Sequence, residues 1–168
     1  MSDDVVKGEK FIEQNADKLV HNLAHHCAAG AKEVADALGE QMPATLNADT
    51  LFLFLFALRC TIEALGVKKV YGERAYQFII AAIENLYLKT FPEGHTQTGA
   101  FSQSLMKDVM VSMAQSSPED FIRLHASRTL GTNDPLDELL HLCLIKVFTN
   151  GQPIAQVVTQ ASLDLSGC

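Results

Sequence analysis

Between residues 9 and 38, apolar or small side chains recur at Ile12, Ala16, Leu19, Leu23, Cys27, Gly30, Val34 and Leu38. The steps alternate between four and three, which is the period of one helix face. The pattern predicts a first helix over roughly 9–38, stopped by Gly39 as the residue just past its end. Asn15 and Asp17 could each open a new helix, so the period alone leaves its continuity open. A different pattern takes over at Leu51. Apolar residues run without a break to Leu58, and Arg59 and Glu63 then enter the same segment. No side of such a stretch meets water cheaply, so other elements have to surround it. Alternating Leu and Phe would also suit a strand. However, β-branched residues are absent from the run, and the segment from a cap at Asn47 or Asp49 to a stop at Gly66 is too long for an ordinary strand. We read it as a buried central helix near 50–65 in an all-α domain.

The remaining pattern continues in the helical period. A helix follows Gly72 and runs to about Phe91, and another spans roughly 98–115. Ser117-Pro118-Glu119-Asp120 and Asp134-Pro135-Leu136-Asp137-Glu138 each carry a cap, a proline and acids in a first turn, which opens two more. The second of these leads into residues 139–148, apolar nearly all round. Pro153 starts a last helix to about Leu163. The expected architecture is a single all-α domain over residues 1–168, a multi-helix bundle of about six or seven helices with residues 1–8 and 165–168 frayed. No internal repeat or long linker divides it.

Composition narrows the partners. At 48% hydrophobic, the chain has enough apolar residues for a core without staples. A net charge of -7, with Lys68-Lys69 the one basic pair, argues against nucleic acid and against an anionic membrane surface. Arg59 interrupts the best candidate for a membrane span, and MSDDVVKGEK lacks the apolar stretch of a signal peptide. The cysteines, Cys27, Cys60, Cys143 and Cys168, form no CxxC pair, which suits reduced thiols in a cytoplasmic protein.

Four groups of residues could carry chemistry. His21 and His25 lie one turn apart on a ridge that begins at Asp17, a spacing that lets two imidazoles share a metal ion. An i,i+4 pair supplies two of the three or four ligands such an ion needs, and a solvated polar face is the simpler reading. Phosphotransfer at His26 lacks a cation one turn away to hold the phosphate. Arg59, Glu63, His125, Arg128 and His141 are polar residues on apolar helix faces. They could converge on one pocket, with the arginines taking an anion and Glu63 and His125 as acid/base or hydrogen-bonding partners. The simpler account pairs Arg59 with Glu63 as a structural element. Glu138-x-x-His141 matches half of a di-iron carboxylate motif, but no second ExxH exists. Met106, Met110 and Met113 fit core packing better than a partner groove. Phosphate-binding GxGxxG and Walker sequences are absent, as is a GxSxG elbow.

These residues point to a non-catalytic helical interaction or regulatory protein that self-associates, most simply as a homodimer, with no cofactor. Ala28–Ala31 and the run around His141 are the expected contact surfaces, for a second copy or another protein. The rival reading is a ligand- or metal-binding helical bundle, possibly an enzyme, built on the Arg59, Glu63, His125, Arg128 and His141 set.

Overall fold

The apolar period of the first segment winds into one unbroken helix, and the segments that follow fold back along it. The computed structural model describes residues 2–41, 48–90 and 152–166. These hold four α-helices and no strand: α1 (Asp3–Leu38), α2 (Ala48–Tyr71), α3 (Glu73–Thr90) and α4 (Ile154–Ser166), with a 3-10 turn at Gly39–Gln41 after α1. The expected helices between 98 and 148 lie outside the described residues.

All eight positions of the predicted stripe on α1 are buried, joined by Gly8, Val20 and Ala31. The helix passes Asn15 and Asp17 without a break, and the Asn15 side-chain amide donates back to the Phe11 carbonyl at 2.9 Å. Its start corrects the expected bound: the helix begins at Asp3 and not near residue 9. Asp3 and Asp4 sit in the first turn, where negative charge complements the helix dipole. Gly8 is buried against the ring of Tyr71, which anchors that end. Gly39 ends α1 as expected, at φ 49°, and its N–H bonds the Ala35 carbonyl.

The end of α2 is also corrected. Gly66 lies inside the helix, which runs on to Tyr71 and stops at Gly72, with φ 90°. Val67 and Tyr71 continue the buried face of Phe56, Cys60 and Ala64 past the glycine. Burying two such side chains stabilises by about 1.5–3 kcal/mol each, more than the roughly 1 kcal/mol that a mid-helix glycine costs. Past Gly66 the helix is amphipathic, with Lys68, Lys69 and Val70 exposed.

Gly8 meets Tyr71 at one end of the pair, so α1 and α2 run antiparallel. The tight turn at Gly72 then sends α3 back alongside α1, where Arg74 reaches Glu9 at 3.3 Å and Glu13 at 3.8 Å. On α3, Ala75, Ile79, Ala82 and Ile83 form the buried stripe. α4 packs on α1 and α2, and α3 does the same; the two flanking helices share no extensive contact. α4 buries Ile154, Val158 and Ser162. The Ser162 hydroxyl is satisfied by donating to the Val158 carbonyl at 2.8 Å. Among the described residues, no helix is long and apolar enough to cross a membrane.

Candidate functional site

Arg59 and Glu63 are one turn apart on the face of α2 that also carries Cys60, Ala64 and Val67, so both charges are carried indoors by the apolar residues around them. Their side chains are 4% and 5% exposed, and Arg59 Nε lies 2.8 Å from Glu63 Oε1. That approach is a charge contact; the Nε–H is not aligned to make a hydrogen bond of it. The other carboxylate oxygen, Oε2, accepts the backbone N–H of Ile154 at 2.6 Å, across 91 positions of sequence. Ile154 is the first residue of α4, and helix N-termini present N–H groups with no partner in their own helix. Pro153 just before it has no N–H to offer. Glu63 therefore caps α4 from another helix. A charged acceptor makes that bond short and favourable, and the positive end of the helix dipole adds to it. Eight residues further along α2, the Tyr71 hydroxyl is 2.6 Å from Thr159 Oγ1, a second polar tie between the same two helices. These two ties fix α4 parallel to α2.

Two thiols border the ion pair. Burial pushes the Cys27 thiol on α1 up from 9.0 to about 12, with Arg59 opposing and Glu63 adding to the shift. Burial also raises Cys60 on α2 well above the ordinary thiol value, with smaller raising contributions from Cys27 and Glu63 and an opposing one from Arg59. Both are free cysteines. At neutral pH both stay protonated, so neither is a nucleophile or a ready metal ligand.

Of the five residues expected to form one polar pocket, the structure brings Arg59 and Glu63 together. His125, Arg128 and His141 lie outside the described residues, as does Glu138. His21 and His25 stand on the exposed face of α1 with ring centres 4.8 Å apart and planes at 82°. Among the described residues no group of three or more His, Cys, Asp and Glu side chains is arranged to hold a metal, so none of them adds a third ligand to this pair. The small-residue patch divides: Gly30 and Ala31 face the bundle, whereas Ala28 and Ala29 are exposed.

Sequence reasoning did not anticipate one feature, a cavity of about 350 Å³ between α1 and the start of α4. Leu19, Leu23, Ile154 and Val157 give it apolar walls, and Asn22 and His26 add polar groups. The i, i+3, i+4, i+7 spacing of its α1 residues is visible in the sequence; their juxtaposition with α4 is not.

No protein family, curated protein or solved structure matches this chain.

Proposed function

We propose that this chain is a non-catalytic helical interaction or regulatory protein that acts as a homodimer. The carrying observation is the fate of its interior charge. Glu63 spends one carboxylate oxygen on Arg59 and the other on the Ile154 N–H, so this buried acid holds helices together. The neighbouring thiols are kept protonated by burial. Groups arranged this way serve architecture, and function then falls to the surface. We read the whole chain as six or seven helices around α2, in keeping with its packing on every other described helix. Reduced interior thiols suit a cytoplasmic setting.

Sedimentation velocity and native mass spectrometry of the untagged chain at micromolar concentration test the reading. The expected species has twice the chain mass, and a strictly monomeric protein overturns it. One observation favours a second reading as a small-ligand binder: the cavity between α1 and α4 is within the usual size range of ligand pockets. A small molecule retained in native mass spectra, and lost on replacing Leu23 with Trp to fill the space, would move the assignment there.

A further inference from the structure

His21 and His25 make half of a metal site, and the self-association proposed above supplies the other half. We propose that two copies of this chain join through α1 around one divalent transition-metal ion, zinc by preference, held by His21 and His25 of each copy. Both side chains are exposed, on the same ridge of a continuous helix, and their ring centres are 4.8 Å apart. Two imidazoles on one tetrahedral zinc, each bonded at about 2.05 Å, have ring centres about 5 Å apart. The separation of the two rings, set by their edge-to-face contact, is compatible with a shared ion. Among the described residues no third His, Cys, Asp or Glu joins the pair, and the proposal places the remaining ligands on a second copy. A two-fold axis through the ion doubles two ligands to four, the number tetrahedral zinc takes.

The surrounding surface permits the approach. Ala28 lies one turn beyond His25 on the same ridge and is exposed, as is Ala29. An antiparallel pairing centred between the two histidines sets Ala28 of each copy against Lys18 of the other, small side chain against long. Lys32 then lies opposite Gln14 instead of a like charge. Neutral imidazole is a preferred ligand for zinc, whereas hard ions such as magnesium and calcium prefer oxygen.

The test is sedimentation velocity of the untagged full chain, stripped with EDTA, dialysed and titrated with zinc chloride. The expected result is a doubling of mass that saturates at one zinc per two chains and reverses with EDTA. His21→Ala and His25→Ala each raise the zinc needed by about ten-fold or more, since each removes two of four ligands from the dimer. His26→Ala, which removes a neighbouring imidazole of another ridge, leaves the titration unchanged. Circular dichroism confirms that the variants fold, as expected for exposed positions. One zinc per chain without a change of mass overturns the inference, as does no bound zinc, or a zinc-driven dimer that survives both histidine substitutions. A dimer that persists in EDTA with both histidines replaced sinks the zinc site and leaves self-association standing. A monomer under every condition removes both.

Discussion

Glu63 performs two tasks with one carboxylate, and substitution separates them. Glu63→Gln keeps an oxygen that can accept the Ile154 N–H but removes the charge facing Arg59. Glu63→Leu removes both. Arg59→Met combined with Glu63→Gln removes the ion pair and keeps the helix cap. At 4% and 5% exposure the pair is dry, so deleting the Glu63 charge removes a buried opposite charge from beside Arg59, at up to about 3–5 kcal/mol. Glu63→Leu adds the cost of a buried N–H without an acceptor, about 1–3 kcal/mol more. The double variant returns to within about 2 kcal/mol of the parent, because a buried pair adds little net stability over apolar neighbours. Total stability for a domain of this size is about 5–15 kcal/mol, so Glu63→Leu stands near the edge of folding.

Urea denaturation followed by far-ultraviolet circular dichroism gives the order: parent and double variant, then Glu63→Gln, then Glu63→Leu. At about 2–4 °C per kcal/mol, Glu63→Gln lowers Tm by about 6–20 °C. Hydrogen exchange isolates the cap. Ile154 stays protected in the glutamine variants and exchanges faster in Glu63→Leu, while the amides of α3, which shares no extensive contact with α4, keep their relative protection. Equal stability of Glu63→Gln and the double variant would refute the buried-charge reasoning. Unchanged Ile154 exchange in Glu63→Leu would refute the cap.

Two glycines predict opposite signs. A methyl on Gly8 overlaps the ring of Tyr71, which is buried and tied to Thr159; Gly8→Ala therefore destabilises by about 1–2 kcal/mol in thermal melts, despite its gain in helix propensity. A methyl on Gly66 meets nothing within 4 Å among the described residues, so Gly66→Ala stabilises by up to about 1 kcal/mol. Because the folded Cys27 thiol is raised from 9.0 to about 12, its contribution to stability is full below pH 9 and is lost as pH rises toward 12, by up to about 1.4 kcal/mol per unit, measurable as falling urea midpoints whose slope Cys27→Ala reduces, with Cys60 still contributing. Hydrogen bonds from Lys68 and then Gln77 hold the Glu73 carboxyl below its ordinary value, so Lys68→Met moves its NMR titration upward; the small stabilisation involved is present above the unfolded value and lost on acidification through the folded one.

Helix content was legible wherever burial follows a single period. The stripe from Ile12 to Leu38 needed only one buried face to read, and every one of its members is buried. Helix ends were legible where a glycine coincides with the end of that face, and the start of α4 was legible from Pro153. Gly39 does, and Gly72 does; Gly66 falls within the face that ends at Tyr71, and tertiary burial overrides its local preference. The start of α1 escaped notice for a related reason. Its anchor is a glycine, which carries no hydrophobic signal, and what buries it is a tyrosine ring from the end of another helix.

The same asymmetry governs the interior site. The Arg59–Glu63 pair could be read from one turn of spacing and an apolar neighbourhood, since both partners share a helix. The partner that gives the pair its purpose is a backbone N–H, which every residue except proline possesses and which no side-chain pattern marks. Sequence placed charge indoors and suggested His125, Arg128 and His141 as company, because side chains are what a sequence displays. Those three residues lie outside the described ones, and the partner that the structure adds for Glu63 is a helix end with an orphan donor. Pro153 was a visible sign of that end, as a residue that opens helices while leaving the next N–H to find its acceptor elsewhere. A buried acid and a distant proline-opened helix are thus complementary features. Their pairing supports reading Glu63 as a structural cap before a catalytic role is considered.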